Sequence, residues 1–459
     1  MTALSETKKY HVYPEYKDSG VEWLEDVPSD WDVIKIKHLS PVKRGASPRP
    51  IDDPKYFDEE GEYAWVRIAD VSASKTYLET TTQTMSELGS SLSVKLEPNQ
   101  LFLSIAGTVG KPCINKIKAC IHDGFVYFPD LKISNKYLFY VFAGEQAYKG
   151  LGKMGTQLNL NTDTVGDIKV TLPRDHGHIE QIVHFLDHET AKIDALIEKQ
   201  QQLIKLLKEK RQAVISHAVT KGLNPQAPMK DSGVEWLGEV PEHWDSCLIK
   251  YKCSEITDGA HISPETNGGE HYFVSIRDIK DGVINFEEAL LTSPKNYQYL
   301  VKTGCLPFEG DILFSKDGTI GQTAITPKNI EFVVASSLII IRPDREKVTP
   351  EFMDFLLQSA VVKEQVESFV KGAALRRLSI QNLLKVFGVF PPLEEQILIA
   401  QFIQNQLSKY RKLEQKAIEQ VELLKERRTA LISAAVTGKI DVRNWQTPTS
   451  QEQALEQTA

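Results

Sequence analysis

A chain of 459 residues, 41% hydrophobic and 25% charged, has the composition of a soluble globular protein of two to four domains. No apolar run approaches the roughly 18 residues that span a bilayer, and Met1–Glu6 lacks a signal-peptide core, so the expected location is the cytoplasm. A net charge of −8 argues against a freestanding nucleic-acid binder unless charge is segregated, and five scattered cysteines with no CxxC pair argue against a disulfide framework.

The first segment, residues 1–32, carries Lys17-Asp18-Ser19-Gly20-Val21-Glu22-Trp23-Leu24 and ends on Val27-Pro28-Ser29-Asp30-Trp31. Trp23 is expected to anchor this lead-in against a helix end. Residues 33–174 have mixed strand, turn and short-helix character. Trp65–Val71 reads as a strand, Leu101–Ser104 as a strand entering the glycine turn Gly107-Thr108-Val109-Gly110, and Phe125–Asp130 as a third strand. A small helix over about 134–147 follows. Residues 175–222 form a long helix, with Leu186, Ile193, Leu207 and Val214 on a seven-residue spacing broken at Gln200. Ile182, Leu196 and Leu203 supply the neighbouring row.

The pattern then starts again. Lys230–Leu237 repeats the octapeptide letter for letter, and Val240-Pro241-Glu242-His243-Trp244 follows, closing a lead-in of 223–245. Trp236 is expected to anchor it as Trp23 does. Residues 246–391 carry Phe273–Ile279, Ile312–Ser315 with Gly318-Thr319-Ile320-Gly321, Leu338–Asp344 and a helix over about 350–369. Residues 392–441 form a second long helix, with Ile403, Leu407, Tyr410, Ala417, Val421, Leu424 and Leu431 in a row interrupted by Glu414 and Arg428. Residues 442–459 read as a polar, disordered tail. A domain-sized repeat fixes the expected architecture. The fold class is α+β: two mixed α/β domains separated by two long antiparallel helices in a coiled coil, related by a pseudo-twofold repeat.

The duplicated octapeptide, the Val-Pro…Trp, the aromatic-x-x-Ile-x-Asp strand, the Gly-Thr-x-Gly turn and the Glu-Gln-Ile of each long helix (Glu180–Ile182, Glu395–Ile397) occur in order, twice. As a set they resemble the specificity subunit of a type I restriction-modification system. The resemblance implies two target recognition domains, each reading half of an asymmetric, bipartite double-stranded DNA site. It also implies helices that set the spacer and dock two methyltransferase subunits, with two motor-nuclease subunits completing the complex. The subunit itself is then no enzyme; S-adenosylmethionine, ATP and Mg enter through partners. Two readers contacting one face of DNA would sit about one helical turn, roughly 34–36 Å, apart.

Catalytic residues are not expected. Gly107–Lys111 is no phosphate loop, because Ile105 stands where the first glycine belongs and Pro112 follows the lysine. His184 and His188 share a helix face without a metal signature, and no metal site is assigned. Base or phosphate contact falls to Arg, Lys, Asn, Gln and Thr. In the first domain the candidates are Lys43, Arg44, Arg49, Arg67, Thr108, Gln157, Asn159 and Asn161. In the second they are Arg277, Lys316, Thr319, Arg376, Arg377 and Gln381. Lys208, Lys210, Arg211, Lys425, Arg427 and Arg428 are candidates for partner docking. The competing function is a non-enzymatic coiled-coil scaffold with protein- or glycan-binding ends.

Overall fold

The computed structural model describes residues 10–149, 151, 160–259, 265, 269–370 and 376–447. The chain forms two compact units, one from residues 1–200 and 419–459, the other from 201–418. Each therefore holds one mixed domain and a stretch of both long helices.

In the first unit the octapeptide forms a hairpin, Tyr16–Asp18 against Asp26–Pro28. Asp18 Oδ1 accepts from Gly20 N at 2.9 Å, Ser19 Oγ from Val21 N at 3.1 Å, and Gly20 sits at φ +63°. The second copy, hairpin Met229–Asp231 with Glu239–Pro241, repeats this at 3.0 Å, 3.2 Å and φ +72°. The repeated letters thus specify a turn: short side chains hold the backbone, and only glycine is free at the left-handed corner. The tryptophan expectation needs correction. Trp23 is half-buried and Trp236 is 44% exposed, whereas Trp31 and Trp244 are wholly buried. The anchor is the tryptophan after Val-Pro, which is enclosed by core on all sides.

The first domain carries a five-stranded sheet in the order Lys43–Arg44, Phe125–Tyr127, Leu101–Ser104, Pro112–Asn115, Tyr77–Leu78. A four-stranded sheet runs Thr84–Met85, Tyr63–Val66, Ala119–Ile121, Val94–Leu96. The second domain repeats the scheme: Cys253–Asp258, Leu338–Pro343, Ile312–Ser315, Thr323–Ile325 in one sheet, Leu290–Thr292, His271–Val274, Phe332–Val334 in the other. In both, a parallel pair, Tyr63–Val66 with Ala119–Ile121 and His271–Val274 with Phe332–Val334, lies inside the second sheet.

The aromatic-x-x-Ile-x-Asp segments are shorter strands than expected. Each strand stops at Val66 or Val274, and a short helical turn begins at Ile68 or Ile276. The aspartate explains the stop. Asp70 Oδ2 accepts from Arg67 N at 2.9 Å, and Asp278 Oδ2 from Ser275 N at 2.7 Å, capping the turn. The glycine turns match: Gly107 and Gly318 both have φ +64°, and Gly110 and Gly321 have +86° and +88°. Asn135–Ala143 supplies the small helix of the first domain. Its counterpart is two helices, Pro350–Gln358 and Ala360–Phe369, broken at Ser359, whose hydroxyl caps the second.

The long helices span His176–Lys221 and Leu393–Val436, followed by Gly222 and Gly438 at positive φ. Within the first unit Asp194 meets Arg428 while Ile182 and Leu186 share a core cluster with Ile432 and Val436, so the helices run antiparallel there. Within the second, Arg211 meets Glu414, and a Cβ on Gly222 would lie 3.4 Å from Glu395. The run is again antiparallel. Ile182, Leu186, Ile193 and Leu207 of one helix, and Ile403, Leu407, Ala417 and Val421 of the other, are buried. Leu196 and Leu203 are not, being 47% and 42% exposed. Two helices enclose only the narrow seam and leave the adjoining row in solvent.

The expected tail is ordered as far as Thr447: Val442 is buried and Trp445 packs edge-on to Phe185 at 5.4 Å. An aromatic ring beside an apolar helix face has a place to go that its polar neighbours in sequence conceal. Residues 448–459 lie outside the described part.

Candidate nucleic-acid interface

The parallel strands position the most distinctive group of side chains. Val66 pairs with Ile121, so the next residues, Arg67 and His122, stand at neighbouring carboxyl ends of two parallel strands. Such ends form the usual ligand crevice of parallel sheets. Gly45 clamps the following loop over His122; a Cβ there would fall 2.2 Å from the His122 carbonyl. The Pro-rich stretch Ser47–Pro54 is thereby laid beside Trp65, and Arg49, Arg67, Gln83, His122 and Asp123 share the resulting cleft.

Asp123 gathers the cations of this loop. Arg49 Nη2 lies 2.9 Å from its carboxylate, and Arg44 Nε donates to its carbonyl at 2.6 Å. Lys43 and Arg44 are exposed on the edge strand that pairs with Phe125–Tyr127. The Arg67 guanidinium donates to the Thr82 hydroxyl. His122 accepts from Gly124 N through Nδ1 at 2.9 Å, a contact that leaves the ring proton to Nε2, and burial pushes its pKa down against the opposing pull of the Asp123 carboxylate. Thr108 is exposed on the glycine turn, its hydroxyl 2.6 Å from that of Ser72. Lys111 closes the same corner by donating to Ser72 O at 2.8 Å. His122, Asp123 and Lys111 are missing from the sequence-based candidates; the signal was a His-Asp pair directly after a β-branched strand end.

Asn161 has another task. Its Oδ1 accepts from Asp163 N and Thr164 N, both at 2.9 Å, capping the helix Thr162–Asp167. Gln157 and Asn159 lie outside the described residues.

In the second domain Arg277, Thr319 and Gln381 are exposed. Arg376 pairs with Glu367, and Arg377 Nε lies 3.1 Å from Asp317. Lys316 is withdrawn from the surface: its side chain is 3% exposed and its ammonium lies 2.7 Å from Asp258. It braces the start of the glycine turn, where Leu378 N donates to its carbonyl at 2.9 Å. Ser275 and Ala335 occupy the strand-end positions held by Arg67 and His122 in the first domain.

On the helices, Lys210, Lys425 and Arg427 are exposed. Arg211 and Arg428 point instead into the contact between helices, at Glu414 and Asp194. Lys208 lies 3.6 Å from Glu414. The helices also expose apolar groups: Leu206 is 60% exposed and Leu413 50% in one unit, and Leu423 is 55% exposed in the other.

Among the described residues, no helix is long and apolar enough to cross a membrane. Comparison with known proteins places this architecture. The type I restriction modification DNA specificity domain matches residues 28–206 and again 254–423. The chain is 24% identical over 453 residues to a Methanocaldococcus jannaschii protein provisionally named type I restriction enzyme MjaX specificity subunit, covering 93% of this chain and 98% of that one. It is 23% identical over 439 residues to the type I restriction enzyme MjaVIII specificity subunit of the same organism, covering 91% and 95%. A chain from a solved structure described as the structural basis of complex assembly and conformational transition of the type I R-M system shares the fold. Its TM-score is 0.64 at 14% identity, over 89% of this chain and 98% of that chain. With the specificity domain present twice over most of its length, the chain belongs to the family of type I restriction-modification DNA specificity subunits.

Proposed function

We propose that this protein is the sequence-reading, non-catalytic subunit of a cytoplasmic type I restriction-modification complex. Each domain reads one half of an asymmetric bipartite site in double-stranded DNA, and the long helices set the spacer between the halves. One observation carries the reading: a backbone frame built twice, with matching glycine turns and capped strand ends, bears different side chains at equivalent places. Arg67 and His122 stand where the other domain has Ser275 and Ala335. A constant frame with variable contacts is what two different half-sites require.

The helices dock two methyltransferase subunits, and two motor-nuclease subunits complete the assembly. In each unit separately, leucines are exposed among charged helix positions, Leu206 and Leu413 with Lys210 in one and Leu423 with Lys425 and Arg427 in the other, a mix suited to a protein interface. S-adenosylmethionine, ATP and Mg are carried by those partners. The test is to assemble the chain with its methyltransferase and map methylated adenines across genomic DNA. A two-part, asymmetric motif is expected, absent when this chain is omitted. Unmodified DNA, or modification without a motif, would sink the proposal.

A further inference from the structure

The cleft of the first domain sets two arginines, Arg49 and Arg67, against two aspartates, Asp52 and Asp123. It has a volume of about 1030 Å³, at the upper end of small-molecule pockets. Its wall is aromatic: Phe57 lies edge-on to Trp65 at 6.5 Å, and His122 lies 5.6 Å from Trp65. Ile51 and the flanking prolines extend the apolar surface. Ser47, Gln83 and His122 add neutral polar groups. His122, its Nδ1 taken by Gly124 N, offers Nε2–H to the cleft. Arg67 and Arg49 stand at the rim, and the Arg49 side chain is 78% exposed. An ion pair this exposed contributes little, so Arg49 can leave Asp123 for a stronger anion.

Rings, the neutral polar groups of Ser47, Gln83 and His122, and two guanidinium groups, one of them already held by a carboxylate, match a planar heteroaromatic base attached to a phosphate. Rings and guanidinium planes hold unstacked bases without regard to helical context, and arginine forks suit phosphate oxygens. The placement agrees, because Arg67 and His122 follow adjacent parallel strands at their carboxyl ends. The second domain carries Ser275 and Ala335 there, so its version lacks both the guanidinium and the imidazole. We propose that this cleft is a nucleotide site: it takes one unstacked deoxynucleotide, base against Phe57 and His122 with the buried Trp65 behind them, phosphate at Arg49 and Arg67. This rests on the reading of the chain as a DNA-specificity subunit and makes the first domain a reader of base exposure as well as base edges.

The test uses the full chain and the four deoxynucleoside 5′-monophosphates, one at a time, in saturation-transfer NMR. The variants are Arg67→Ser and His122→Ala, which install the second domain's residues. Transfer to the base protons of at least one nucleotide is expected in the native chain and is lost in both variants. No transfer to any of the four, or undiminished transfer in Arg67→Ser, overturns the proposal. Circular dichroism checks each variant, and if His122→Ala is unfolded the exposed Arg67→Ser substitution decides. The methylation map separates the two levels. A complex that methylates a defined motif while the chain binds no nucleotide removes the cleft and leaves the function. A complex that leaves DNA unmodified removes the function whatever the nucleotides do.

Discussion

Arg428 on the second long helix meets Asp194 on the first through two hydrogen bonds, Nε to Oδ1 at 2.8 Å and Nη2 to Oδ2 at 3.3 Å. Both side chains are about a quarter exposed, at 22% and 25%. Arg428 is one of two charged interruptions in an otherwise apolar heptad row. The other, Glu414, is answered within the second unit by Arg211 at 3.2 Å. Each break thus faces an opposite charge on the opposing helix. A polar residue at a seam position gives up stability and fixes register, since any slip strands a charge among apolar side chains.

Removing one partner is therefore expected to cost more than removing both. Arg428→Ala leaves Asp194 half-enclosed and unpaired, and should destabilise the first unit by about 2 kcal/mol. The double change Arg428→Leu with Asp194→Leu should be close to neutral, because two leucines restore the seam. Urea denaturation of the single and double variants checks this. Equal losses would show that the pair does not couple the helices.

The Glu-Gln-Ile motif is the same in both repeats, but its glutamine is used differently. Gln396 is fully buried and serves three backbone groups: it accepts from Thr349 N at 2.8 Å and donates to Lys347 O at 3.0 Å and Pro391 O at 2.8 Å. Gln181 donates to Trp445 O. Gln396→Leu leaves three backbone groups without their partner, one of them in a buried bond and two part-buried, and should cost about 3 kcal/mol, while Gln181→Leu should cost about 1 kcal/mol. Thermal melts of the two variants compare them; similar shifts in Tm would contradict the difference in hydrogen bonding.

Lys316 looks like a base reader in sequence, beside the glycine turn, yet its charge is enclosed with Asp258. Lys316→Met should lower stability by about 2 kcal/mol by removing the enclosed ammonium held 2.7 Å from Asp258. The recognised DNA letters should not change. Methylation mapping of a complex built with this variant reads the second half; altered letters would return Lys316 to the reading surface.

The repeat made much of this fold legible. Two copies of one turn-forming octapeptide, two glycine turns and two helical seams lead directly to matched hairpins, matched corners and matched helices, because each depends on neighbours in sequence. What stayed hidden depends on distant ones. Nothing near Lys316 announces Asp258, nor does anything near Arg211 announce Glu414. Asn161 carried the expected residue type for adenine, but its amide is spent on a helix cap formed by the next three residues. Trp236 was misread for a related reason. An identical octapeptide implies an identical role, but its burial depends on non-repeated neighbours: Trp23 packs against a core that includes Tyr13 and Val442, and Trp236 remains 44% exposed. The cleft escaped notice because His122 and Arg67 are 55 positions apart and meet only through strand pairing.

Asp354 provides a pH test that is independent of DNA. It sits on the helix Pro350–Gln358, almost wholly enclosed, where burial raises its pKa to about 6. One oxygen accepts from Gln358 Nε2 at 2.8 Å; the other, Oδ1, has no hydrogen-bond partner among the described residues. An acid whose pKa is higher folded than unfolded favours the folded state at low pH. That advantage is full below about pH 4 and is lost as pH rises through about 6. A shift of about two units corresponds to about 3 kcal/mol. The Asp354→Asn variant removes the titration and keeps an oxygen for Gln358. Its stability relative to the native chain should therefore rise between pH 4 and pH 7 by up to that amount. Subtracting the two pH profiles, from urea midpoints at each pH, cancels the other titrating groups. A flat difference would mean that Asp354 ionises without penalty in the folded protein.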